Sequence, residues 1–149
     1  MNDSKTAVPN ALVLRRTFNA PRARVFAAWT NPDLIRRFFS SDDSSVAVLA
    51  LDVRIGGSYR LAFRQPSGEE WVVYGTYREV VPPERLSMTW SWAEDDPSLE
   101  RETLLTLEFQ DRAGATELVL THVNFRDEQQ RDSHKHGWTD MLDRLSGVL

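Results

Sequence analysis

Cysteine is absent from this 149-residue sequence, and lysine nearly so, with two lysines against 16 arginines. Without a thiol the chain can form no disulfide, build no thiolate zinc site and use no cysteine nucleophile. The arginines are scattered and form no stripe that could follow a phosphate backbone, and the formal net charge is −4. We therefore expect no nucleic-acid partner.

Long apolar runs are also missing. No stretch approaches the roughly 18 residues that a membrane span needs, and the polar residues 1–10 lack the apolar core of a signal peptide. We therefore expect a cytoplasmic protein with no membrane partner. Repeats, low-complexity segments and internal linkers are absent as well, so the sequence predicts a flexible N-terminal segment over residues 1–10 and one domain over residues 11–149.

The most informative stretch that is present closes the chain, from Asp127 to Leu149. Asp127 has the position of an N-cap, with Gln130 as its capping-box partner. Apolar side chains and one imidazole then recur at helical spacing: His134, Trp138, Met141, Leu142, Leu145 and Leu149. His136 falls off this stripe and is expected to be exposed. The pattern predicts a long amphipathic helix that must cover an apolar surface.

The preceding hundred residues are predicted to supply that surface. A first strand over residues 11–19 shows a break in its apolar alternation at Arg15 and Arg16, and two helix-start signals follow it, at Pro21 and at Asn31-Pro32. From residue 46 onward six segments alternate as strands do and are joined by short turns. The sequence thus predicts an α+β fold of order β-α-α-β6-α, in which a curved antiparallel sheet wraps around the final helix.

Two connections carry specific expectations. The pair Gly56-Gly57 is typical of a sharp turn with a positive φ, and Asp52 and Arg54 share a face before it and can pair. No helix follows these glycines, which excludes a phosphate-binding loop. Residues 40–45 are small, polar and acidic, but they lack calcium-ligand spacing and indicate a mobile connection.

Eight short motifs, in order, resemble the START-related helix-grip (SRPBCC) superfamily, and within it the branch named for the activator of heat-shock protein 90 ATPase. They are Phe18-x-Ala20-Pro21 with Val25-Phe26-x-x-Trp29, Asn31-Pro32, Asp52-x-Arg54-x-Gly56-Gly57, Gly75-x-Tyr77-x-Glu79, Pro83-x-Arg85-Leu86, Thr89-Trp90, Thr116-x-Leu118-x-Leu120-x-His122 and His134-x-x-Gly137-Trp138. The resemblance implies a helix-grip domain with a cavity, between sheet and helix, that holds small hydrophobic molecules. One departure is Phe38, where relatives often have tryptophan.

The candidate ligand-binding residues are aromatic, aliphatic or imidazole side chains expected on the inner surface. They are Trp29, Phe38, Tyr59, Phe63, Tyr77, Trp90, Trp92, His122, His134, Trp138, Met141 and Leu142. For each aromatic residue the alternative is simple core filling. For His122 and His134 the alternative is a structural role, in which the buried imidazole is satisfied by a hydrogen bond within the protein. No serine nucleophile or fixed carboxylate accompanies the histidines and no third metal ligand is evident, so we assign no catalytic residue, metal or cofactor.

Three functions fit these patterns. The first is binding of a small hydrophobic or aromatic molecule in an enclosed pocket of about 300–1,000 Å³, with His122 as a polar anchor. The second is a cyclase-, aromatase- or hydrolase-like enzyme using the same cavity. The third, ranked last, is a chaperone-regulating module linked to the stress response, because in relatives that role goes with an additional N-terminal domain. A homodimer is left open, and so is whether Gly137 leaves space or permits close packing.

Overall fold

The structure, a computed structural model, describes residues 10–149. The predicted flexible segment over residues 1–10 therefore lies, except for Asn10, outside the described residues. Seven strands are formed: β1 (Leu12–Phe18), β2 (Ser45–Leu51), β3 (Ser58–Arg64), β4 (Glu70–Val81), β5 (Arg85–Trp92), β6 (Thr103–Arg112) and β7 (Ala115–Val123). The helices are α1 (Arg22–Ala28), α2 (Pro32–Phe39) and α3 (Glu128–Val148). The predicted order β-α-α-β6-α is confirmed.

The strands form one antiparallel sheet in the order β1-β7-β6-β5-β4-β3-β2. Strands β2 to β7 follow one another as a meander, and β1 joins the far edge beside β7, pairing Leu12 with His122 and Phe18 with Thr116. The register shifts between β2 and β3 and again between β4 and β5. Such irregularities bend a strand and increase its twist, which curves the sheet toward α3.

Strand β1 keeps a regular alternation of burial through its two arginines. Leu12 and Phe18 are buried, and Arg16, on the same face, is half-buried. The Nη1 atom of Arg16 lies 2.7 Å from a carboxylate oxygen of Asp143 on α3. The break expected at Arg15 and Arg16 is therefore a change in side-chain chemistry and not in strand geometry.

Helix α3 begins as its sequence predicts. A carboxylate oxygen of Asp127 accepts the backbone N–H of Gln130 at 2.8 Å, and the Gln130 side chain accepts the backbone N–H of Arg126 at 2.7 Å. The return bond thus reaches one residue further back than in the usual capping box. Trp138, Leu142 and Leu145 are buried against the sheet, and His136 is exposed as predicted.

Helix α1 packs against β6 and β7, whereas α2 packs against α3 and β2. The Asn31 side chain caps α2 by accepting the backbone N–H of Asp33 and of Leu34, at 2.9 and 3.2 Å. At the other end of α2, the carbonyl of Phe38 accepts Nε of Arg144 from α3 at 2.9 Å. A cation is favourable there because the carbonyls at a helix C-terminus carry partial negative charge. This contact fixes the end of α2 to α3.

The glycine turn before β3 matches its prediction. Gly56 has a φ of +83°, and Arg54 Nε lies 2.8 Å from Asp52 Oδ2. A Cβ at Gly57 would lie 2.0 Å from the carbonyl oxygen of Asp52, so only glycine permits the chain to close the turn. None of the described helices, within residues 10–149, is long and apolar enough to cross a membrane.

Candidate functional site

A cleft of about 650 Å³ lies between α3 and the sheet, at the side where the loop after α2 approaches β3 to β5. Its inner walls are aromatic and its rim is polar. The lining residues are Phe39, Ser41, Asp43, Ser44, Phe63, Gln65, Glu70, Trp71, Trp90, Trp92, Ala93, Glu94, Ser133, His134, Gly137, Trp138, Asp140, Met141 and Arg144. Trp71 at the rim is 52% exposed. The space is therefore open to solvent, unlike the enclosed pocket expected from the sequence.

Six of the predicted ligand-binding residues line this cleft. They are Phe63, Trp90, Trp92, His134, Trp138 and Met141. The strands contribute the first three from β3 and β5, and α3 contributes the other three at positions one helical turn apart. Alternation along the strands and helical spacing along α3 bring these side chains together, as the sequence patterns predict.

The other six predicted residues do not line the cleft. They are Trp29, Phe38, Tyr59, Tyr77, His122 and Leu142, and all are buried. Trp29, Tyr59 and Tyr77 border a separate void of only about 20 Å³, roughly the volume that holds one water. The Tyr59 hydroxyl donates to the carbonyl of Thr89 at 2.6 Å. Around these residues the side chains are packed as in an ordinary hydrophobic core.

Two indole–imidazole hydrogen bonds join α3 and the sheet. Trp138 Nε1 donates to His122 Nδ1 at 3.0 Å, and Trp92 Nε1 donates to His134 Nε2 at 2.9 Å. An imidazole nitrogen that accepts a hydrogen bond from an indole N–H carries no proton of its own. These two bonds therefore fix which nitrogen of each histidine is protonated. His122 Nε2 then donates to Thr103 Oγ1 at 2.7 Å. His134 Nδ1 donates to the carbonyl of Gln130 at 2.9 Å.

Both histidines are neutral in this arrangement. Burial lowers the pKa of His122 well below its usual value, and the nearby His134 lowers it further. Burial also lowers the pKa of His134, although its bond to the Gln130 carbonyl opposes the shift. The two rings are 5.3 Å apart between centroids. Both nitrogens of each ring are hydrogen-bonded within the protein. Neither histidine therefore has a free nitrogen that could accept a proton from a ligand.

Two other tryptophans have unpartnered donors. The Nε1 atoms of Trp29 and Trp90 are buried and have no hydrogen-bond partner among the described residues. Trp90 borders the cleft and also the 20 Å³ void that Trp29 borders. A buried donor without an acceptor costs about 1–3 kcal/mol. An acceptor atom of a bound molecule or a water that reached either group would remove this cost.

Gly137 leaves space beside Trp138. A Cβ built on Gly137 would meet nothing within 4 Å, and the residue lines the cleft. Gly137 therefore leaves space and does not serve close packing of α3 against the sheet. Since α3 presents no side chain at this position, the cleft extends up to the helix backbone.

Several lining residues were not among those predicted from the sequence, although some of them follow a recognisable pattern. On α3 the missed residues are Ser133, Gly137, Asp140 and Arg144, which recur at i, i+4, i+7 and i+11. They flank the apolar stripe of α3 and are small or polar, so helical spacing could have identified them. The loop residues Ser41, Asp43 and Ser44 had no such signal, because a loop's position depends on what it packs against. Within residues 10–149 no group of three potential ligands could hold a metal ion.

Comparison with known proteins gives a consistent result. The family model described as "Activator of Hsp90 ATPase homolog 1-like protein" matches residues 19–149. A crystal structure of a Chromobacterium violaceum protein is similar with a TM-score of 0.85 and 26% identity, over 93% of this chain and 96% of the other. A solution structure from Staphylococcus epidermidis has a TM-score of 0.82 and 25% identity, over 96% and 91% of the two chains. No curated protein is similar enough to be matched to the sequence.

Proposed function

This chain belongs to the Activator of Hsp90 ATPase homolog 1-like family, and from that premise we propose that it binds a small, largely hydrophobic molecule in the cleft between α3 and the sheet. The observation that carries the proposal is the cleft itself, about 650 Å³ with aromatic inner walls. That volume lies within the range of about 300–1,000 Å³ of ligand sites, which are lined mainly by apolar and aromatic side chains with few polar groups.

The arrangement of polar groups favours binding over catalysis. His134, the imidazole on the cleft wall, is neutral and is held by Trp92 and by the Gln130 carbonyl. A general base needs a free nitrogen within reach of the substrate proton. Both nitrogens of His134 are already bonded within the protein, so its ring offers no such group. Residence in the cytoplasm, dimerisation and a chaperone partner stay predictions.

Two glycines of α3 allow a sharp test. Gly137 lines the cleft, whereas Gly147 is exposed on the same helix and does not, and a Cβ at either position would meet nothing within 4 Å. Leucine improves helix propensity at position 137, in the helix interior, and by less at position 147, beside the helix end. Only at position 137 does the added side chain enter the cleft. Gly137→Leu and Gly147→Leu are therefore a matched pair.

The measurement is isothermal titration calorimetry with 2-naphthalenemethanol, a neutral aromatic alcohol that carries an acceptor oxygen. We expect saturable binding to the wild type, a loss of tenfold or more in affinity (about 1.4 kcal/mol or more) in Gly137→Leu, and unchanged affinity in Gly147→Leu. Absence of saturable binding, or equal affinity in the two variants, would refute the proposed site.

A further inference from the structure

The rim of the cleft carries an excess of negative charge. Four carboxylates line it, from Asp43, Glu70, Glu94 and Asp140, against one guanidinium, from Arg144. Glu70 is paired, since its Oε2 lies 2.8 Å from Arg64 Nε. The other three carboxylates form no ion pair with any residue of the described part of the chain.

Arg144 does not cancel this excess. It lies four residues after Asp140 on α3, a spacing at which opposite charges often pair, yet the two form no ion pair here. Its Nε donates instead to the carbonyl of Phe38 at 2.9 Å. The guanidinium is thus directed toward the end of α2, and the imidazole of His134, on the same helix, is neutral because burial lowers its pKa.

The apolar walls suit a cation as well. Trp71, Trp90, Trp92 and Trp138 all line the cleft, and the face of an indole ring carries negative electrostatic potential. A cation over such a face is attracted to it, most strongly where it is partly shielded from water. Carboxylates at the rim and indoles on the walls therefore favour the same sign of ligand charge.

We propose that the cleft selects molecules that join a positively charged amine to an aromatic or aliphatic body, with the body against the tryptophans and the amine near Asp140. This inference rests on the proposed function and assigns the ligand class of the same site. Asp140 is the residue assigned to the amine, since α3 places it one turn from Gly137, where the cleft reaches the helix backbone.

Three probes with the same ring separate charge from shape: 2-naphthylmethylamine as the cation, 2-naphthalenemethanol as the neutral molecule and 2-naphthoate as the anion. Titration calorimetry at low salt should give the tightest binding for the cation, about fivefold or more over the neutral alcohol, and the weakest for the anion. The preference should shrink as salt is raised, because the rim charges are exposed to solvent.

Asp140→Asn should reduce the preference for the cation by about two- to threefold and leave the affinity for the neutral alcohol unchanged. The matched control is Asp132→Asn, which removes the same charge from α3 at a residue that does not line the cleft and should keep the preference.

Equal affinity for cation and alcohol would overturn the inference while leaving the proposed function intact. Tightest binding of the anion, abolished in Arg144→Gln, would overturn it in favour of a carboxylate ligand held by Arg144. If none of the three probes binds saturably, the proposed function and this inference both fail.

Discussion

At the scale of single residues, His122 on β7 and His134 on α3 join the helix to the sheet through hydrogen bonds to tryptophans. Each ring accepts an indole N–H and donates its remaining proton to an oxygen, so both polar atoms are satisfied without charge. Protonation of either ring would turn its acceptor nitrogen into a donor facing another donor. The fold therefore depends on two neutral imidazoles.

This arrangement predicts a decrease in stability in mild acid. Since the pKa of each histidine is lowered by burial in the folded state, the unfolded chain takes up protons first as the pH falls below about 6.5. The free energy of unfolding should be constant above that value and fall below it, by at most about 1.4 kcal/mol per pH unit for each histidine. Urea denaturation at pH 7.5, 6.5 and 5.5 measures the slope.

His134→Gln removes one titrating group and should make that slope smaller, while the larger pKa shift of His122 remains. A free energy of unfolding that stays constant down to pH 5.5 in the wild type would show that the imidazoles are not held neutral.

Trp138 should contribute far more to stability than its neighbour His136. Trp138 is 2% exposed and its ring centroid lies 4.9 Å from that of Trp90, and its indole also satisfies His122. Trp138→Ala should cost about 3–5 kcal/mol, whereas His136→Ala should change stability by less than about 0.5 kcal/mol because His136 is exposed. Denaturation midpoints of the two variants measure the difference. Equal shifts would mean that α3 faces the sheet differently.

At the scale of elements, two glycines that look alike in sequence have opposite roles. Gly75 lies in β4, where a Cβ would come within 2.0 Å of the Thr89 carbonyl oxygen on β5. The backbone N–H of the next residue, Thr76, donates to Thr89 Oγ1 at 2.9 Å. Strands β4 and β5 thus approach more closely than a side chain permits. Gly137 in α3 has open space where its side chain would be.

Alanine at these two positions should therefore change stability in opposite directions. Gly75→Ala must separate β4 from β5 and should destabilise by about 1–3 kcal/mol or more. Gly137→Ala improves helix propensity without a clash and should stabilise by about 0.5–1 kcal/mol. Thermal or urea denaturation of both variants gives the sign directly. A destabilised Gly137→Ala would indicate that the cleft does not extend to the helix backbone.

At the scale of the whole molecule, helix and sheet share one core. The indole of Trp138 reaches from α3 to β5 and β7, and Arg16 and Asp143 join β1 to the same helix. Neither layer covers its apolar face without the other. The domain should accordingly unfold in one cooperative step.

The prediction is that far-ultraviolet circular dichroism and tryptophan fluorescence give the same urea midpoint. The first signal reports largely on the helices. The second reports on five tryptophans, of which Trp29, Trp90 and Trp138 are buried. A fluorescence transition at clearly lower urea would show that the layers separate before the helix melts, and would contradict a single core.

The local features of this protein could be predicted from sequence because each depends on residues a few positions apart. The N-cap at Asp127, the positive φ at Gly56, the start of α2 at Asn31-Pro32 and the order of elements are of this kind. So is the inward stripe of α3, since 3.6-residue periodicity places its members on one face whatever lies opposite. The predicted site residues that line the cleft come from these periodic patterns.

Only the tertiary structure decided where the open space lies. The sequence placed Tyr59, Tyr77 and His122 in a pocket, but these side chains fill the core, and the cleft lies to one side, bounded by Gly137, Asp140 and the loop after α2. Whether a gap remains between two layers depends on the summed volumes of side chains far apart in the chain, and on how closely their backbones approach. The protonation of the histidines depends likewise on indole partners 16 and 42 residues away, a separation that no local pattern encodes.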